Sequence, residues 1–270
     1  RSFYTPIDEG AMSPGEAWRM RDPLPAQLPP LPVEGPGVPT DRPYHELSES
    51  DWMPYTWSIN NVVMDENMNT ALALWQGGHA EEAYILAKGA ILASQYMGIS
   101  PGNAGTMNYL DVYRRESQRD FGDSAGTTAR AIVEGLFGVQ PDVLAKHLTV
   151  APGFPADWTH ARLTHPDIGV DFRRDGLSDN WTIRQSGTLF KTVTLRLPMA
   201  HAGGSAVTVN GRAAHWQSLP DTGRPMIEIV AEATAATAVR LTWKGPATVA
   251  ARRPAAVQKA AVPALVDWTT

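Results

Sequence analysis

The sequence has no cysteine among its 270 residues. Disulfides, thiolate metal ligation and thiol catalysis are therefore excluded, while the compartment stays open because cytoplasmic and periplasmic proteins alike can lack cysteine. It has no run of 18 apolar residues of the kind that spans a bilayer. It also lacks a basic excess: the net charge is −5, so neither nucleic acid nor a membrane surface is an expected partner. The seven histidines are scattered, and His45-Glu46 is not followed by a second histidine at zinc-binding spacing, so neither a metal nor a cofactor is expected. Gly98 to Gly105 lacks the Lys-Ser or Lys-Thr ending of a phosphate loop.

What is present divides into regions. With 43% hydrophobic and 19% charged residues the chain reads as globular, of α + β class and with more than one domain. Residues 1–50 hold many of the 22 prolines, among them Pro23, Pro25, Pro29, Pro30, Pro32, Pro36, Pro39 and Pro43. Proline density rules out long helices and central strands, so an extended segment that wraps a neighbour, or disorder, is expected there. The chain opens on Arg1 with neither Met nor a signal peptide, which suggests a processed product or a piece of a longer protein.

Residues 51–146 carry helical periodicity. From Ser58 to Gln76 the apolar positions Val62, Val63, Met68, Ala71, Leu72 and Trp75 share one face, and Gly77-Gly78 ends the run. Glu81 and Glu82 suit the first turn of a following helix that runs to Gly98, and the short Gly-Gly-His-Ala link makes an antiparallel helical hairpin. Ser124 to Gly138 predicts a third helix, with Asp123 or Ser124 as N-cap and small residues from Ala125 to Ala129 for close packing. From position 147 to 245 the period becomes that of strands. Eight runs, beginning at Leu148, Ala161, Gly169, Trp181, Lys191, Ala206, Met226 and Ala238, with an Asn210-Gly211 turn, predict an antiparallel β-sandwich. Residues 246–270 read as a tail.

Trp57-Ser-Ile-Asn-Asn, Asp65-Glu66-Asn67, the Gln76 to Gly89 hairpin, Arg119-Asp-Phe, Val133-Glu-Gly-Leu-Phe-Gly and Pro152-Gly-Phe-Pro-Ala-Asp-Trp follow one another in an order that resembles the C-terminal part of six-hairpin glycosidases. The closest likeness is to a bacterial branch without a settled substrate, and it covers about residues 45–245. It implies the last hairpins of an (α/α)6 toroid followed by the sandwich. A toroid has twelve helices, so the resemblance also implies an N-terminal remainder of the enzyme, or another chain, that completes it. A carbohydrate substrate, an exo-acting and inverting glycosidase, and a periplasmic or secreted location follow from the same likeness.

Glycoside hydrolysis needs one carboxylic acid to protonate the leaving oxygen and a second carboxylate to activate water or attack the sugar. In such enzymes the second carboxylate lies in the loop before the last toroid helix, a position that Glu116, Asp120 and Asp123 occupy here. Glu116 is the first candidate, Asp120 the second, and Asp123 reads better as a helix cap. Arg115 and Arg119 can bind an acidic sugar in bidentate fashion or simply pair with these acids. Glu66 is a third candidate, pointing either into the toroid or to solvent. Trp52, Tyr55 and Trp57 offer rings to sugar C–H faces or form a satellite core, and Asn60 and Asn61 can bond hydroxyls or cap a helix. His45, Glu46, Glu49 and Asp51 lie just upstream and could supply the acid, although the family usually takes it from an earlier hairpin. A non-catalytic carbohydrate-binding or structural module is the competing reading.

Overall fold

The computed structural model describes residues 3–28, 30–48, 62–96, 109–111, 116–117, 123–219 and 222–248. Where extended coil was expected, the N-terminal segment forms three short helices: α1 (Thr5–Asp8), α2 (Pro14–Met20) and α3 (Leu24–Gln27). Each has proline in its first turn, the one part of a helix where a missing N–H costs nothing. Ser13 and Glu16 close a reciprocal capping box on α2. The segment then runs through β1 (Leu31–Pro32) and β2 (His45–Glu46), which pair antiparallel.

The next elements are β3 (Val62–Val63), α4 (Met64–Gln76) and α5 (Ala80–Ile91). The expected helix starts later than its periodicity suggested. Val62 and Val63, both β-branched, are extended and pair with β4 (Tyr109–Asp111), which in turn pairs with β5 (Glu116–Ser117). The hairpin link is as read: Gly78, at φ +91°, lets its own N–H reach the Trp75 carbonyl at 2.9 Å and that of His79 reach Leu74 at 2.8 Å, a left-handed helix ending. A π-helical turn, Leu92–Tyr96, continues α5.

The third helix, α6 (Asp123–Arg130), also runs on into a π-helical turn, Ala131–Leu136. The residues just before Asp123, and with them the N-cap of the helix, lie outside the described ones. Ala125, Gly126 and Ala129 are exposed, and the close approach falls further along. A methyl group on Gly135 would sit 2.4 Å from the Trp75 ring.

Helix α4 is covered on every side. Met64, Met68, Ala71, Leu72, Leu74 and Trp75 share a core with Ala83, Leu86, Ala87 and Ala90 of α5, with Ala131 and with Leu47. Ala73 meets Ile7 and Ala17 of the N-terminal helices. Among the described residues, no helix is long and apolar enough to cross a membrane.

The remaining strands are β6 (Val139–Asp142), β7 (His147–Val150), β8 (His160–Thr164), β9 (Ile168–Asp175), β10 (Ser178–Gln185), β11 (Thr192–Pro198), β12 (Ser205–Val209), β13 (Arg212–Ala214), β14 (Gln217–Leu219), β15 (Met226–Glu232) and β16 (Ala236–Trp243). They form two sheets, ordered β13-β12-β16-β10-β9-β8 and β14-β15-β11-β7-β6, whose inner faces share one core that includes Val170, Trp181, Leu195, Ile227 and Leu241. β16 alternates exposed and buried residues along its whole length, as a half-buried strand does. All eight expected strands are present. Pairing is antiparallel except that β7 runs parallel to β11, which corrects the all-antiparallel expectation. β6 joins this sandwich upstream of position 147; Pro141 hid it, yet proline is tolerated there because β6 is an edge strand. Asn210 and Gly211, at φ 49° and 78°, turn β12 into β13 as their sequence predicts.

Trp75 joins the two halves. Its Nε1–H donates to the Gly153 carbonyl at 2.9 Å in a buried bond. Beside it Tyr84 meets Trp158 edge-on at 5.4 Å, Trp158 stacks on Phe154 at 5.6 Å, and Phe154 stacks on Phe172 of the sandwich at 5.6 Å. Phe154 and Trp158 thus seal the junction. Trp75→Phe keeps most of the ring but strands the Gly153 carbonyl, and is expected to lower stability by about 1–3 kcal/mol in urea unfolding.

Candidate functional site

The first turn of α4 presents Asp65 and Glu66 at the helix end where a negative charge is favoured. Glu66 is neither a solvated turn residue nor a free one: it is 8% exposed, and the Tyr4 hydroxyl donates to its Oε2 at 2.6 Å. Asn67 is structural. Its side chain accepts from the Leu47 amide at 2.8 Å and donates to the carbonyls of Leu47 and Val63 at 2.9 and 3.0 Å, so the strand that carries Glu46 is tied down on α4. The strap also lies against α5, where a methyl group on Gly89 would come within 2.2 Å of the His45 carbonyl.

Asp65 is half-buried, with Oδ1 sealed and without a hydrogen-bond partner. Burial pushes its carboxyl up, and the charges of Glu66 and Asp123 push it further. Asp65 at the start of α4 thus stands within the field of two further carboxylates, its neighbour Glu66 and Asp123 of α6. Carboxylates gathered in this way are driven apart in their protonation, which is how a site acquires an acid and a base. Among the described residues, no group of histidines and acids is arranged to hold a metal ion.

Of the residues singled out in the sequence, Glu66 is placed in this cluster. The backbone of Glu116 is placed nearby on β5, two strands across from β3, or roughly 10 Å by ordinary strand spacing. β5 pairs Glu116 with Asp111. Asp120, Trp52, Tyr55, Trp57, Asn60, Asn61, Arg115 and Arg119 lie outside the described residues.

Glu46 is the acid whose role the sequence left open. It is 6% exposed, and burial alone pushes its carboxyl up to about 8, so it is protonated at neutral pH. Neither burial nor neighbourhood could be read for it, because a two-residue strand after a proline-rich stretch carries no period. Tyr4 was missed for a related reason: its bond to Glu66 depends on the N-terminal helices folding back over α4, and Asp65 was missed because its burial and its proximity to Asp123 are tertiary.

A cleft of about 550 Å³ lies at the junction of helices and sandwich, lined by Leu136, Phe137, Asp157, Trp158, His160 and Arg162 among others. Arg42 closes one side of this region, bonding Glu81 of α5 at 2.7 Å and both oxygens of Asp157 at 2.8 Å.

The sequence matches no family model and no curated protein. Among solved structures, it is similar to the α-L-rhamnosidase of Streptomyces avermitilis complexed with L-rhamnose, at 14% identity over 69% of this chain and 18% of that one, with a TM-score of 0.43. It is similar also to the α-L-rhamnosidase from Dictyoglumus thermophilum, at 10% identity over 66% of this chain and 21% of that one, with a TM-score of 0.45. A third similar structure is a glycoside hydrolase, at 12% identity over 70% of this chain and 34% of that one, with a TM-score of 0.33. The chain thus spans between about a fifth and a third of the length of these proteins.

The Glu46 carboxyl gives a pH signature. Its folded-state value lies above its ordinary value of 4.5, so the folded protein holds more protons and stability falls as pH rises through the interval from about 4.5 to about 8. Glu46→Gln removes this loss. The variant is expected to match the parent near pH 5 and to exceed it near pH 9 by up to about 4 kcal/mol in urea unfolding.

Proposed function

We propose that this chain is the C-terminal portion of a glycoside hydrolase, in which α4, α5 and α6 are late helices of an (α/α)6 toroid and the β-sandwich follows them. The order of motifs from Trp57 to Trp158 supports the reading. The observation that carries it is the gathering of Asp65, Glu66 and Asp123 at one end of the helical layer, beside the strand that bears Glu116. A carbohydrate in an oligo- or polysaccharide is the substrate class. Glu116 activates the attacking water, with Asp120 as the alternative base. Glu66, oriented by Tyr4, orders the substrate or shares the proton economy of the site. Asp65 is suited to hold a proton, because burial and two neighbouring charges oppose its ionisation. Exo action and inversion belong to the same proposal; inversion would require the acid and base to stand about 6.5–9.5 Å apart. Upstream hairpins from the same protein or another chain complete the toroid and contribute the leaving-group acid. A periplasmic or secreted location fits a polysaccharide substrate.

A second reading, a non-catalytic carbohydrate-binding or structural module, is favoured by the junction cleft, where the Trp158 indole lies beside Asp157, His160 and Arg162.

One assay separates them. The full-length protein and its Glu116→Gln variant are incubated with a panel of plant and bacterial glycans, and released sugars are quantified. Monosaccharide release that falls in the variant by on the order of 100-fold or more supports the hydrolase with Glu116 in the reacting pair. Binding without release from any glycan favours the module. Release that the variant leaves intact transfers the base to Asp120 or Glu66.

A further inference from the structure

At the opposite end of α4, the turn between α4 and α5 meets the loop before β15. Trp18 of α2 fills the gap. Its ring stacks on His79 at 4.1 Å, and the backbone of Gly223 lies so close on the loop side that a methyl group there would come within 2.1 Å of the indole. The His79 Nε2 is 2.8 Å from the Trp18 carbonyl. Arg224 reaches into the same corner: a methyl group on Gly78 would lie 3.5 Å from its Nε.

This guanidinium is unusual among the partly buried arginines of the described residues. Arg21, Arg42, Arg130 and Arg174 each hold a carboxylate within 3.0 Å. The Arg224 Nε is sealed from solvent with no hydrogen-bond partner, and no carboxylate among the described residues pairs with it. Burial holds the group down, to about 10, which still leaves it charged at neutral pH. A desolvated cation without a counter-ion is costly.

The neighbours do not supply what is missing. At the end of α4 the carbonyls of Ala73, Leu74 and Trp75 already accept from Gly77, His79 and Gly78, and the Gln76 Oε1 is sealed without a partner of its own. The nearby acid, Glu82, is taken up in a two-point pair with Arg21 at 2.6 Å on both arms. The corner therefore holds two guanidinium groups, of which Arg21 is paired with Glu82 and Arg224 is not. The N-terminus of α5 opens on the same corner and adds its dipole.

We propose that Arg224, framed by Gly78, His79 and Trp18, is the anchor of an oxyanion-binding site, which takes a carboxylate or phosphate group on the fork of its guanidinium. Planar two-point recognition of such groups is what arginine does and lysine does not. The site stands about 20 Å along α4 from Asp65 by helix rise, and it is independent of the glycosidase reading.

The test is thermal unfolding of the 270-residue chain in rising sodium phosphate and, separately, sodium glucuronate, with chloride adjusted to constant ionic strength. The parent is expected to gain about 3–5 °C near tenfold saturation with at least one of the two, at one bound anion per chain by calorimetric titration. The response to phosphate or to glucuronate tells which headgroup fits. Arg224→Met is expected to give no gain and to unfold no earlier than the parent without ligand, since it deletes an uncompensated charge. Arg224→Lys, which keeps the charge and loses the fork, is expected to lose most of the gain and serves as the reading if the Met variant does not fold. Equal gains in parent and variants would mean a general salt effect and would overturn the site. So would the absence of any gain in the parent with both anions.

Discussion

Helix α4 has no exposed residue along its thirteen positions, and the rest of the described structure is arranged around covering it. A helix buried on all sides cannot rely on one amphipathic contact; it needs a partner on each face. Helix α5 covers one face, the π-helical turn after α6 a second, and the proline-rich N-terminal segment a third. Trp75 then ties this layer to the sandwich. Its indole fits because Gly135 and Gly153 present bare backbone to the ring, where methyl groups would stand 2.4 and 2.1 Å away. The large side chain and the two missing ones are a single packing solution.

Covering α4 with a polar segment brings buried polar groups along, and their treatment is uneven. Asp8 receives both arms of Arg130 at 2.7 Å and the Gln76 amide at 3.0 Å. Burial raises its carboxyl, yet these bonds and the Arg130 charge outweigh that and leave it below the ordinary range. Asp179, 2% exposed, is held by Arg174 at 2.6 and 2.8 Å and by the Trp243 Nε1 at 2.8 Å. Asn67 is likewise fully used. Asp65 Oδ1 and Arg224 Nε are left without partners, as are Gln76 Oε1, Thr128 Oγ1 and Trp181 Nε1, and burial alone acts on Glu46. Buried groups are normally satisfied, so the exceptions are where chemistry or a ligand is to be sought. Asp65 and Arg224 lie at opposite ends of α4, and Glu46 lies on the strap that Asn67 holds.

The sandwich was legible because its strands alternate cleanly: β16 from Ala236 to Trp243 shows the two-residue period without a break. β6 was not, since Pro141 argues against a strand unless the edge position is known. The N-terminal helices were hidden by the same residue type for the opposite reason. Pro6, Pro14 and Pro25 each begin a helix, and a count of prolines does not distinguish beginning from breaking. The helical hairpin was readable from Gly77-Gly78, but Val62 and Val63 satisfied the helical period while obeying their own preference for extended backbone. Within the site, Glu66 could be nominated from its place beside Asn67, whereas its burial depends on Tyr4, far away in sequence. Arg224 gave no signal at all. Its isolation is a negative property, the absence of a paired carboxylate among the described residues, and only three-dimensional packing reveals it.

The distance between the two ends of α4 has a consequence for how they can act together. About 20 Å of covered helix separates the acidic end from the Arg224 corner, a distance at which two unit charges interact by roughly 1 kcal/mol at an effective dielectric near 20. A charge that arrives at Arg224 therefore acts only weakly on the protonation of Asp65 through the field. Mechanical coupling would be carried by α4 as a rigid rod between the Tyr4–Glu66 contact and the Trp18–His79 stack. Both of these contacts are made by the N-terminal segment, α2 supplying Trp18 and the residue before α1 supplying Tyr4. The strap that covers α4 thus touches both ends of it, so any mechanical coupling between them runs through its seating.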